Sequence, residues 1–229
     1  MRKFWKEVAI VPAEGGHDVQ LDRRPVRTPG RAPLTLPSPV LAEAVAQEWR
    51  AVGETIDPRA MPLTGLANAA IDRVAADKGA FAAGLAKYGE SDLFCYRAEH
   101  PLELLLRQDA AWDPLLGWAT QRYGAPLEIA TGIVHRAQPP ASLTALGEAV
   151  AARSPFELAA LSPLVTVTGS LVAALALLEG AASADDIWSA VNLDDDWQVE
   201  HWGEDELARQ ARANRRAEFD AAVRFLQLL

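Results

Sequence analysis

Residues 158–178, LAALSPLVTVTGSLVAALALL, carry no charged side chain, and any fold this chain adopts must deal with them. Leu164, Leu171, Leu175 and Leu178 recur at spacings of seven, four and three, so they share one face of a helix, which Val165, Val172 and Ala176 widen. A run of that length can also cross a bilayer, where about 20 residues suffice. Against that, Ser162, Pro163, Thr166, Thr168, Gly169 and Ser170 crowd its first half and no basic cluster flanks it. The spacing predicts a buried core helix with other helices packed around it.

Half the residues are apolar and about a quarter charged, which excludes disorder as the general state and allows one domain or two. The single cysteine, Cys95, excludes an internal disulfide framework and fits a reducing compartment. The opening MRKFWKEVAIVPAEGG has basic residues, but Glu7 interrupts it before an apolar run of signal-peptide length. A cytoplasmic protein is the expectation. The net charge of −9 is unevenly placed: residues 154–208 hold eleven acids and no Lys or Arg, and residues 209–229 hold five Arg against two acids. An acidic surface of this kind repels nucleic acid and anionic lipid and suits a basic or polar protein partner. It can equally be a solvated face that only aids solubility.

The chain reads as α+β, with a small N-terminal β-rich domain over 1–60 and a larger, mostly α-helical domain over 61–229. KEVAIVPA alternates, Glu14-Gly15-Gly16 turns, and HDVQLDRRPVRTP reads as a strand pair bending at Arg23-Arg24-Pro25. Ser38-Pro39 opens a helix that Gly53 ends, and Glu54–Pro62 is a linker. Helices are predicted over 63–74 and 78–89. SDLFCYRA (91–98) is a strand or a tight connector. A helix from Pro101 restarts at Trp112-Asp113-Pro114 and is closed by Gly124. APLEIATGIV (125–134) has strand character. An Ala-rich helix follows Pro139-Pro140, Ser183 and Asp186 form a capping box, and a last helix starts near Asp205.

Chemistry is sparse. His17, His100, His135 and His201 are scattered without metal-ligand spacing, and there is no nucleophile elbow, phosphate loop or dinucleotide fingerprint. Thr168-Gly169-Ser170 lies inside the apolar run, where small residues allow close packing, and Cys95 reads as a small buried hydrophobe. Asp194-Asp195-Asp196 neither alternates ligands nor carries the glycine of a calcium loop. No catalytic residue, cofactor or metal is therefore expected. LDDDWQVEHWGEDE (193–206) stands out, with seven acids beside Trp197 and Trp202. A spacing of five puts the two indoles on different helical faces, one toward the core and one toward solvent. Aromatics beside charges are what interfaces use, so Asp194, Asp195, Asp196, Trp197, Glu200, Trp202 and Asp205 are the candidate partner-binding residues; the same stretch reads equally as two core-edge tryptophans on an acidic solvated helix.

Several segments together resemble the ATP12 family of F1 assembly chaperones: LDRRPVRTP (21–29), LPSPVLAEAVAQEW (36–49), IDPRAMPLTGLANAAIDRV (56–74), SDLFCYRAEHPLELLLRQDAAWDPLL (91–116), TGS (168–170) and LDDDWQVEHWG (193–203). The resemblance implies a small β domain and a helical domain. It further implies transient binding of the free α subunit of F1-ATPase until that subunit pairs with β, with no ATP hydrolysis, small-molecule substrate, nucleic acid or membrane insertion. It gives an acidic position before Trp202-Gly203 importance, for which Asp196 is the first choice. Eukaryotic relatives would act in the mitochondrial matrix; without their presequence, this chain resembles a bacterial, cytoplasmic form. The rival expectations are an enzyme with an acidic or metal site near Asp194–Asp196 and His201, a general holdase, and a structural component of a stable complex.

Overall fold

The computed structural model describes residues 2–132 and 134–229. It is an α+β chain in which a small N-terminal β region precedes a mostly helical remainder. Two compact units form, one from the chain up to Lys78 with Ser154–Ala160 and Ala221–Leu229, the other from Gly79–Arg153 and Leu161–Asp220.

In the first unit, β1 (Val8–Ala13) and β2 (Gly16–Leu21) make an antiparallel hairpin with Ala13 opposite Gly16. β2 also pairs antiparallel with β3 (Arg24–Pro25) and β4 (Thr35–Leu36). A Cβ on Gly16 would lie 2.1 Å from the Leu36 carbonyl oxygen, so the close approach of β4 demands glycine. After β2 the chain bends through Asp22 and Arg23, both at positive φ (47° and 66°). Asp22 accepts from the amides of Glu7 and Lys6 at 2.9 and 3.0 Å, which hold its carboxyl below the usual range. α1 (Pro39–Ala51) begins as its sequence predicts, with the Ser38 hydroxyl accepting from the Leu41 amide and Pro39 in the first turn. Its buried face, Leu41, Ala42, Val45 and Trp49, joins Trp5, Val19, Leu34 and Leu36 in one core.

α2 (Pro62–Ala69) has no side-chain cap from its own N-cap residue, Met61. Glu48 of α1 supplies one: its carboxylate accepts from the Leu63 and Thr64 amides, both at 2.8 Å, and from the Thr64 hydroxyl at 2.7 Å. A carboxylate at a helix N-terminus is the favoured charge. Glu48→Ala strands those donors and is expected to lower unfolding free energy by about 2 kcal/mol, seen as a reduced urea midpoint at unchanged slope; an unmoved midpoint would contradict the capping role. The helix expected to run regularly to Val74 instead relaxes into a π-helical turn over Ala70–Val74. There Asp72 accepts from the Thr28 hydroxyl (2.6 Å) and the Gly30 amide (2.7 Å), tying two of the segments that carry the resemblance together.

The second unit takes in most of α3 (Lys78–Ala86), which passes into a 3-10 turn at Lys87–Ser91. Residues 91–98 are both a connector and a strand: a 3-10 turn at Leu93–Cys95 leads to β5 (Tyr96–Arg97). The expected restart near Pro114 does not occur, because α4 (Leu102–Tyr123) is one helix with Pro114 inside it. Proline removes one helical hydrogen bond. Pro114 and Ala110 are both exposed, so the freed carbonyl meets water while Trp112 and Leu116 stay in the core. Within 125–134 only β6 (Ala130–Thr131) is strand, parallel to β5, and Ile133 lies outside the described residues. α5 (Pro140–Ala151) follows.

The uncharged run is two helices rather than one, α6 (Pro155–Thr168) and α7 (Leu171–Leu178). Gly169 takes a left-handed φ of 68°, and Ser170 caps α7 by accepting from the Ala173 amide at 2.9 Å. Residues Leu171–Ala176 are wholly buried, as the core reading requires. Among the described residues no helix is long and apolar enough to cross a membrane. α8 (Ala184–Val191) starts at the expected capping box, Ser183 accepting from the Asp186 amide at 3.1 Å. α9 (Leu193–Trp202) and α10 (Glu206–Gln227) complete the chain.

Candidate functional site

The candidate residues lie on α9 and at the start of α10, and the helical repeat distributes them over different faces. Asp194 points toward α4, where Gln108 Nε2 donates to it at 2.7 Å. Burial pushes its carboxyl above the usual range, against the pull of that hydrogen bond. Asp195 and Asp196 point toward α10 and pair with Arg215 at 2.8 Å and Arg212 at 2.5 Å. Glu200 pairs with Arg107 of α4 at 2.8 Å, and the same guanidinium covers the Trp197 ring at 4.8 Å. Trp197 is 5% exposed and stacks on His201 at 4.2 Å. Trp202 is 71% exposed. The two indoles thus divide as their spacing predicted, one in the core and one in solvent.

Gly203, at a φ of 79°, turns the chain from α9 into α10. Asp205 caps the new helix by accepting from the Ala208 amide at 2.8 Å. Two residues later Leu207 is 83% exposed. Between the helices is a cleft of about 290 Å³ lined by Val199, Ala208, Ala211 and Arg212, among others. The first three turns of α10 bury almost nothing; the pairs Arg212–Asp196 and Arg215–Asp195 hold them to α9. Folding therefore interleaves the acid block with the arginine block that follows it, and Arg216 likewise reaches Asp185 at 2.7 Å.

Arg107, Arg212, Arg215 and Leu207 are the parts that reading the sequence missed. Arginines at 209, 212, 215 and 216 recur at helical spacing just beyond an acid run, a signal sufficient to find Arg212 and Arg215. Nothing in the sequence points from Glu200 back to Arg107, 93 residues away.

The other motifs prove structural. Thr168-Gly169-Ser170 is the α6–α7 junction, and Asp92 meets it: its carboxylate accepts from the Val172 amide at 3.0 Å and the Phe94 amide at 3.1 Å, while the Leu93 amide donates to the Gly169 carbonyl at 3.0 Å. Asp92 is fully buried, and burial raises its pKa in spite of those donors. Cys95 is buried, and desolvation pushes its thiol up to about 12, which leaves it unreactive. Arg97 is sunk against Trp112 with its guanidinium carbon 4.8 Å from the ring and pairs with Asp113 at 2.6 Å and Asp109 at 3.3 Å. His135 bonds the Tyr96 hydroxyl at 2.9 Å. Among the described residues no group of three or more His, Cys, Asp or Glu is placed to hold a metal.

Comparison with known proteins adds sequence-level likeness to this geometry. The family described as ATP12 chaperone protein matches residues 2–120. The structure of Atp12 from Paracoccus denitrificans is 46% identical, with a TM-score of 0.95 over 99% of this chain and 97% of that one. An Asp-to-Lys mutant of the P. denitrificans Atp12p is 45% identical, with the same TM-score of 0.95 and the same coverage of 99% and 97%. The mitochondrial protein atp12 of Schizosaccharomyces pombe is 24% identical over 221 residues, 91% of this chain and 76% of that protein. A shared fold alone would not assign a role, but likeness of sequence across nearly the whole chain defines the class: a chaperone, whose business is another protein. The chain belongs to the ATP12 chaperone family.

Proposed function

We propose that this protein is an ATP synthase assembly chaperone that binds the free α subunit of F1 in the cytoplasm and keeps it competent until it pairs with the β subunit. It does so by binding alone, with no catalytic step. Membership of the ATP12 family is the observation that carries this reading. An unassembled subunit exposes apolar surface meant for its neighbour, and such surface aggregates.

The α9–α10 elbow has the features a reversible cover for such a surface needs. Trp202 and Leu207 are exposed beside an open cleft, and a large aromatic at a patch centre supplies most of the affinity in protein interfaces. Asp195 and Asp205 line it, with Glu200 on the α4 side of α9, and charges of this kind set orientation and encounter rate more than affinity. Asp194 and Trp197, facing α4, position the helix. Asp196, through Arg212, fixes α10 against it.

Trp202→Ala is expected to weaken capture of the α subunit about tenfold and to change unfolding free energy by less than about 0.5 kcal/mol, since the ring is exposed. Affinity by titration and a thermal melt check both halves; unchanged affinity would remove Trp202 from the surface. The reading itself is tested by pull-down. The α subunit should be retained on the immobilised protein and released by added β subunit; retention that β does not reverse would instead indicate a component of a stable complex.

A further inference from the structure

A second concavity lies in the helical unit, away from the cleft between α9 and α10. It is a groove of about 480 Å³ between α4 and α8. Ala111, Pro114, Leu115 and Trp118 form one wall, Ala181, Ala182 and Ser189 the other, and the buried Ile187 and Ala190 lie beneath them. Leu193 closes one end, directly before the acidic turn of α9. The lining is apolar except for Ser189 and Asp186. Asp186 is exposed, and its carboxylate bonds only the Ser183 hydroxyl, at 2.6 Å, and no Lys or Arg among the described residues pairs with it. The unit around it carries twenty Asp and Glu against ten Lys and Arg.

We propose that this groove binds an amphipathic helical segment of the client, its apolar side chains seated against Leu115, Trp118 and Ala182 and a lysine or arginine meeting Asp186. The charge of the lining selects this occupant. An apolar slot whose one ionised group is an unpaired carboxylate, in a unit with twice as many acids as bases, repels an acidic helix and draws a basic one. The shape agrees, since a helix laid in a groove presents anchors at every third or fourth residue to apolar walls. The proposal rests on the chaperone reading for the source of the segment, while the groove's chemistry stands apart from it.

The test uses the full chain with Gln121→Cys carrying a benzophenone maleimide. Gln121 is exposed, one helical turn beyond Trp118 and outside the lining, and Cys95, buried with its thiol pushed up to about 12, leaves the introduced thiol as the reactive one. The probe is a synthetic leucine-faced helix flanked by lysines, with a twin in which glutamate replaces lysine. Saturable photo-crosslinking to the lysine peptide, at least tenfold weaker to its twin, is the expected result. Ala182→Trp, which fills the groove, should weaken binding of the lysine peptide to the unlabelled protein at least tenfold; Ser189→Arg should do the same and serves if the first variant fails to fold. Equal crosslinking of both peptides, or of neither, overturns the proposal, as does a crosslinked dimer in the absence of peptide. Peptide binding without capture of the α subunit leaves the groove standing and removes the client assigned above. Capture of the α subunit with no peptide crosslinking removes the groove alone.

Discussion

On the proposed reading, Asp196→Lys is expected to lower capture of the α subunit by tenfold or more while the protein stays folded. Asp196 is half-exposed and holds Arg212 at 2.5 Å, with Arg215 held by its neighbour Asp195 at 2.8 Å. A lysine there meets the Arg212 guanidinium with like charge in place of the ion pair. Exposed ion pairs contribute roughly 0.2–1 kcal/mol each, so the fold itself loses about 1 kcal/mol. The first turns of α10 bury almost nothing and depend on these pairs, so the elbow that carries Trp202 and Leu207 opens. The rim also gains two units of positive charge, which slows encounter with a basic partner and alters the salt dependence of association. Association rates at two ionic strengths, beside a thermal melt, separate these effects. Wild-type capture by a folded Asp196→Lys protein would take this residue out of the surface. Combining it with Arg212→Asp, which restores an opposite pair, should recover the elbow and part of the affinity.

Asp92→Ala is expected to be strongly destabilising. Asp92 is fully buried and accepts from the amides of Val172 and Phe94, joining the 3-10 turn before β5 to the start of α7. Removing it leaves buried donors unpaired at the first turn of the most buried helix, an expected loss of about 3–5 kcal/mol. Denaturant unfolding would show it, and a loss under about 1 kcal/mol would mean the amides had found other acceptors. The pH dependence carries a second signature. Burial raises the folded-state pKa of Asp92 above the ordinary carboxylate value, so the folded protein binds its proton more tightly than the unfolded chain. Stability from this group then rises as pH falls through the folded value toward the ordinary one. The gap between wild type and Asp92→Ala should widen on acidification; a gap that narrowed would reverse the assigned shift.

Local signals were legible and distant partnerships were not. Ser38-Pro39 and the Ser183–Asp186 box announce helix starts because a cap is made within four residues. The break at Gly169 was hidden by the apolar run on both sides, which argued for one helix although Thr-Gly-Ser supplied a stop and a new cap. Pro114 misled in the opposite direction, since a proline on the exposed side of a long helix costs one hydrogen bond and need not end it. The caps that assemble each unit come from Glu48, Asp72 and Asp92, whose partners lie 15, 44 and 80 residues away, beyond any periodicity. The same holds at the candidate site. The acid run and the two tryptophans could be read directly, whereas their distribution between Gln108, Arg107, Arg212 and Arg215 exists only once α4, α9 and α10 are packed.

The most direct measurement is light scattering from the free F1 α subunit as it aggregates, with and without this protein, beside an unrelated aggregation-prone protein as control. The chaperone account predicts suppression for the α subunit at near-stoichiometric ratio, none for the control, and release of the α subunit into a complex when β is added. Equal protection of both clients would make this a general holdase, and protection of neither would contradict the account outright.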